Sequence, residues 1–145
     1  FSDQVGEACY IPLRHEGVDV PTQLPLDEVL ARLKPWLEDA SRPKLGQHIK
    51  YDTHVLANHG ITVRGYAHDT MLESYVLEAH LGHSLEKLAE RHLGRKGLSY
   101  EDLCGKGAHQ IPFAQVDVAT ATTYSGEDSE MRPDFTSASW SPTIW

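Results

Sequence analysis

Lys44-Leu-Gly-Gln-His-Ile-Lys-Tyr-Asp52 opens on an apolar step and closes on a carboxylate. Lys44 to Gly46 reads as the end of a strand. From Gln47 the pattern turns helical, which sets His48 and Asp52 four residues apart on one face. The same spacing returns in Ala121-Thr-Thr-Tyr-Ser-Gly-Glu-Asp128, where Tyr124 and Asp128 share a face. Two helices that each offer a carboxylate are what a metal-dependent phosphodiester-cleaving site requires. Such hydrolysis needs hard oxygen ligands that hold two ions roughly 4 Å apart, and the short aspartate side chain suits that task. Tyr124, one turn before Asp128, could then orient the attacking water with its hydroxyl. Spacing alone leaves another reading open, in which each aspartate is a solvated helix carboxylate.

Composition narrows the field around this stretch. A chain of 145 residues, 40% hydrophobic and 23% charged, suits one folded domain with one core. Its net charge of -8 argues against broad non-specific nucleic-acid binding, which needs clustered Lys and Arg. A local site where divalent ions meet phosphates remains compatible, because acidic ligands are then an asset. No apolar run approaches the ~18 residues of a membrane span. The start, Phe1-Ser-Asp-Gln-Val-Gly-Glu, has neither the basic nor the apolar region of a signal peptide, so a cytoplasmic location is expected. Cys9 and Cys104 lack CxxC partners and read as small buried thiols. His80, His83 and His92 have no accompanying Cys pair, which sets them apart from ordinary zinc patterns.

Taken in order, the chain predicts a strand, a helix, a strand and then several helices, an α/β arrangement. Ala8 to Leu13 is β-prone, with Pro12 limiting it to an edge. Pro25 marks a helix start, followed by Asp27 and Glu28 in the first turn and an apolar face of Leu26, Val29, Leu30, Leu33 and Leu37. Pro35 is expected to kink or interrupt that helix. A short helix closed by Gly60 and a strand over Ile61 to Arg64 come next. Asp69 is expected to cap a helix over Thr70 to Ala79, with Leu72, Tyr75 and Val76 as its core stripe, and Ser84 to cap another over Leu85 to Leu93. Ser99-Tyr-Glu-Asp102 resembles a capping box, and Gly105-Lys-Gly107 marks a loop. From Phe113 the pattern turns helical again. The Ser- and Thr-rich stretch from Met131 to Trp145 reads as an irregular, disordered tail.

The motifs together carry more weight than their spacing. Lys44 to Asp52, Leu56-Ala-Asn-His-Gly-Ile61, Arg64-Gly, Asp69-Thr-Met-Leu-Glu-Ser-Tyr75, Ser84-Leu-Glu-Lys-Leu-Ala-Glu-Arg91, Gly105-Lys-Gly107 and Tyr124-Ser-Gly-Glu-Asp128 occur in this order. So arranged, they resemble the 3'-5' exonuclease domain of bacterial DNA polymerase I, a member of the DEDD superfamily with a tyrosine in its last motif. The resemblance runs from about Phe1 to Glu130. It implies a ribonuclease H-like α/β fold, with a mixed sheet and flanking helices, and proofreading removal of nucleotides from the single-stranded 3' end of DNA. It further implies two divalent ions, Mg or Mn, held in part by Asp52 and Asp128, with Tyr124 positioning water. Tyr100 falls where the family places an aromatic near the terminal base, although a Tyr packed on its own loop reads equally well. Lys106 falls where it could contact phosphate, and a solvated loop lysine is the other reading.

Two departures stand out. The family's first motif, an Asp-x-Glu on the opening strand, has no counterpart, and the chain opens on Phe1 like a fragment that starts just after it. Two-metal catalysis is expected to be lost or weakened without those ligands. His48, expected with Tyr100 and Lys106 among the substrate-binding residues, stands where the family usually has Asn. A polymerase domain is the expected C-terminal partner. The competing expectations are a non-catalytic module that keeps the fold to support a polymerase, and a related 3'-5' exoribonuclease.

Overall fold

The computed structural model describes residue 2 and residues 7–130; the expected tail over residues 131–145 lies outside them. Pro25, with its fixed extended geometry, precedes α1 (Leu26–Leu37), and Asp27 and Glu28 occupy the first turn, where the helix dipole favours negative charge. Pro35 lies inside α1 without ending it. The expected interruption fails: Pro35 removes one intrahelical hydrogen bond, the one to the Ala31 carbonyl, and both residues are exposed, so solvent can serve that carbonyl.

The sheet among the described residues is a parallel pair, β1 (Lys44–Gly46) beside β2 (Tyr66–Asp69). The helix that crosses between them is α2 (Ile49–Ala57), making the βαβ unit that parallel strands require. Gly65 sets the entry to β2. Its φ is +78°, and a Cβ there would sit 2.6 Å from the Arg42 carbonyl oxygen. Only glycine lets the chain lie against that turn.

Two expected strands are corrected. Ile61 to Arg64 is not a strand, because its amides are used on helix ends: Ile61 N–H donates to Leu56 O, Thr62 N–H to the Glu38 carboxylate and Arg64 N–H to Leu37 O. Ala8 to Leu13 is also irregular, and Pro12 has no donor to offer a ladder.

Helix α3 (Thr70–Leu77) follows β2 directly, and α4 (Leu85–Leu88), capped by Ser84, widens into a π-helical turn over Ala89–Leu93 that Gly94 ends in the left-handed region. Then come α5 (Tyr100–Cys104), with the anticipated Ser99–Asp102 capping box, two 3-10 turns at Gly107–His109 and Phe113–Gln115, and α6 (Val118–Glu130). Leu37 and Ile61 anchor one buried cluster with Leu33, Trp36 and Leu56 around them, while Cys104, Val116 and Ala121 anchor another. The stripe Leu72, Tyr75 and Val76, expected in the core, is exposed at 56%, 51% and 85%. Helical spacing identifies an apolar face and does not say what covers it.

Three surface carboxylates lie below their ordinary pKa of 3.8 because local donors bind the charged form: Ser41 hydroxyl and N–H on Asp39, Ser99 N–H and hydroxyl on Asp102, and Thr120 N–H and hydroxyl on Asp117. Groups depressed in the folded state stabilise it fully above the unfolded pKa, and that stabilisation is lost as pH falls through the folded values. Melting temperature followed from about pH 6 down to about pH 2 should therefore hold down to about pH 4 and then fall. Asp102→Asn should make the fall shallower.

Candidate functional site

Position 52 is set by how α2 begins. His48 stands at the N-cap in the left-handed region, with φ +57° and ψ +44°, and its side chain makes no cap hydrogen bond. The cap comes instead from a distance. The buried Asp69 carboxylate accepts the His48 and Ile49 N–H groups at 3.0 Å each, and also those of Met71 at 3.0 Å and Leu72 at 3.4 Å. One carboxylate thus closes the N-termini of α2 and α3 together. Asp52 follows in the first turn of α2 and is half-buried.

The left-handed backbone explains why Asn or His suits position 48. Both are enriched there among non-glycine residues, because a short polar side chain offsets part of the steric cost. His48→Asn should raise the urea midpoint by an amount worth about 0.5 kcal/mol, and His48→Val should lower it by about 1–2 kcal/mol. The His48 ring is exposed and stacks 6.4 Å from that of Tyr51.

Asp128 arrives from the other end of the chain on α6, which starts behind Asp117, whose carboxylate accepts the Thr120 N–H at 2.8 Å. Asp52 and Asp128 line the same hollow, a space of about 360 Å³ whose walls are largely apolar, among them Tyr10, Leu13, Leu33 and Leu56. Tyr124, half-buried one turn before Asp128, is not among the residues that line the hollow, and its ring lies 6.2 Å from that of Phe113. Phe113 also has Tyr100 as a neighbour, stacked at 6.2 Å and 12°. Tyr100 is partly exposed, and its hydroxyl is pushed above the usual phenol range first by a hydrogen bond with Cys104, then by burial. Lys106 stands apart. It is exposed and pairs with Glu101 at 3.1 Å.

Chemically, two hard carboxylates in a low-dielectric hollow fit a divalent cation in ligand type. Among the described residues no group of three or more His, Cys, Asp and Glu side chains gathers to hold a metal ion. Periodicity missed two contributors: the reach of Asp69 to α2 and the contact of Phe113 with both Tyr100 and Tyr124. The first is a long-range contact, and the second depends on how α5 and α6 approach each other.

A small parallel sheet flanked by helices makes an α/β domain in which Asp52 and Asp128 line one hollow. A 3'-5' exonuclease family model matches residues 1–132. DNA polymerase I of Pseudomonas aeruginosa is 46% identical over 143 residues, covering 97% of this chain and 16% of that protein. DNA polymerase I of Rhizobium leguminosarum is 39% identical over 133 residues, covering 86% of this chain and 13% of that protein. A solved structure, the POL domain of Pol1 from M. smegmatis in complex with DNA primer-template and dNTP, has 38% identity and a TM-score of 0.45, over 52% of this chain and 13% of that one. The chain belongs to the 3'-5' exonuclease family of DNA polymerase I, and it spans less than a fifth of the relatives it matches. No helix among the described residues is long and apolar enough to cross a membrane.

Proposed function

We propose that this chain is the proofreading part of a DNA polymerase I, hydrolysing the 3'-terminal nucleotide of a DNA strand to a nucleoside monophosphate. The observation that carries the reading is the convergence of Asp52 on α2 and Asp128 on α6, far apart along the chain, on one hollow. Mg or Mn, when bound, would supply the positive charge that activates water and stabilises the leaving oxygen. Asp52 and Asp128 would hold the cations, with the Asp-x-Glu of the family's first motif as the further ligands. Tyr124 would orient water from the turn before Asp128. Tyr100 offers an exposed ring on which any terminal base can stack, the sequence tolerance that proofreading needs. Lys106, exposed on its loop, would meet a phosphate by exchanging Glu101 for it. The polymerase domain of the same protein would be the partner that delivers the frayed 3' end.

The test joins an upstream segment carrying Asp-x-Glu to this chain and follows a 3'-labelled single strand with Mg or Mn. Stepwise release of monophosphates, abolished by Asp128→Ala, is expected. No degradation by the joined protein would instead favour a module that keeps the fold to support a polymerase. Preference for RNA would move the reading to an exoribonuclease.

A further inference from the structure

His15 is buried at 7% exposure, and each of its polar groups is engaged. Its N–H donates to Gln23 Oε1 and its carbonyl accepts from Gln23 Nε2, both at 2.8 Å. The ring Nδ1 lies 2.9 Å from Val116 O, a carbonyl that can only accept, so Nδ1 carries the proton. In the neutral ring Nε2 then accepts from the Tyr10 hydroxyl at 2.6 Å. Tautomer and ring plane are therefore both fixed.

The fixed imidazole faces Phe113, with centroids 5.9 Å apart and planes tilted by 53°. Phe113 in turn touches the rings of Tyr100 and Tyr124. These separations are those of favourable offset and edge contacts between rings. Phe113 is itself on a three-residue 3-10 turn, whose own hydrogen bonds are too few to hold a side chain in place. The buried histidine supplies the rigidity that the turn lacks.

We infer that Phe113, anchored by His15, is the positioning residue that fixes the ring of Tyr124, one helical turn before Asp128. The significance of this placement rests on the proposed role of Tyr124; the placement itself does not. A water-orienting hydroxyl must be held within a fraction of an ångström, which one turn of helix does not ensure for a side chain with two free torsions. Contact with Phe113 restricts those torsions from the side. Because the same ring carries Tyr100, the residue that would stack a base and the residue that would aim water share one support.

The experiment uses the 145-residue chain with ring-labelled tyrosines, the Tyr124 signals being assigned through Tyr124→Phe. Exposure of the Tyr124 ring is read from broadening by a soluble nitroxide. Phe113→Leu should raise that broadening about threefold while leaving Tyr51 unchanged, and Phe113→Tyr, which keeps a ring, should restore the parent value. Equal Tyr124 broadening in the parent and Phe113→Leu would overturn the inference. If Phe113→Leu does not fold, His15→Phe serves in its place: it keeps a ring but loses the Val116 and Tyr10 bonds, and it should raise Tyr124 broadening. An unchanged value would overturn the anchoring. A separate addition of Mn ions tests the underlying reading. Selective broadening of the Asp52 and Asp128 amides is expected, with less broadening of Tyr124 in Phe113→Leu than in the parent. Absence of any effect at the two aspartates would remove the metal role and leave the nitroxide result to decide the positioning.

Discussion

Asp69→Ala should lower the stability of the folded chain by about 3 kcal/mol, read as a fall in the urea midpoint at unchanged slope. Four backbone N–H groups lose their acceptor at once, two from α2 and two from α3. A single N-cap removed by alanine costs about 0.5–2 kcal/mol, and here two helices share one cap. Burial adds to the cost, because Asp69 is 8% exposed and water replaces its oxygens poorly. Asp69→Asn keeps one acceptor oxygen and should lose about half as much. Hydrogen exchange separates this mechanism from general weakening. The His48 and Ile49 amides should exchange faster in Asp69→Ala, ahead of amides near Leu37. If they exchange no faster than in the parent, Asp69 does not hold the start of α2.

Asp69 also marks how far the sequence could be read. Its cap on α3 follows from a local rule: an Asp before a helical pattern binds the N–H groups two and three residues on, as Met71 and Leu72 show. The cap on α2 spans a sequence separation of 21 residues and exists only because β1 and β2 lie side by side. The capping signals elsewhere are equally dependable, although the local expectation that Pro35 interrupts α1 is not met. The Ser99–Asp102 capping box and the Ser84 cap each formed where their residue types predicted. What failed was the reading of surroundings. Ile61 to Arg64 has strand composition, yet nearby helix ends and Glu38 take its amides before a neighbouring strand can. Leu72, Tyr75 and Val76 have core composition and helical spacing, yet lie at the surface. For the site, spacing placed Asp52 and Asp128 on helices, and only the succession of motifs implied that they meet. Their shared hollow is a tertiary fact that no periodicity contains.

Lys44 is the sharpest reversal of residue type, and its replacement should have the other large effect. A lysine at the start of β1 would be expected to reach solvent, but Lys44 is fully buried. Its ammonium donates to the carbonyls of Asp39 and Arg42 at 2.9 Å each and lies 5.1 Å from the Trp36 ring centroid. Gly65 packs against those same carbonyls, so Lys44 ties the end of α1 to the entry of β2. Lys44→Ala should cost about 2–4 kcal/mol, since it removes both donors and leaves a void beside Trp36. Lys44→Met fills the void without the donors and should cost about half of that, so the difference between the two urea midpoints measures packing alone. Burial pushes the Lys44 pKa below its ordinary 10.5, with Asp39 opposing and Arg42 assisting. Between the folded value and 10.5 the unfolded chain binds more protons, so this residue makes stability rise with pH through that window. Burial raises the Tyr10 pKa above 10.0, and Tyr10 acts in the opposite direction from about pH 10 upward, where its window meets that of Lys44. The Lys44 contribution is therefore read as the parent curve minus that of Lys44→Met, which retains Tyr10. That difference should climb with pH below 10.5, and a flat difference would mean that the buried ammonium is not destabilised by its site.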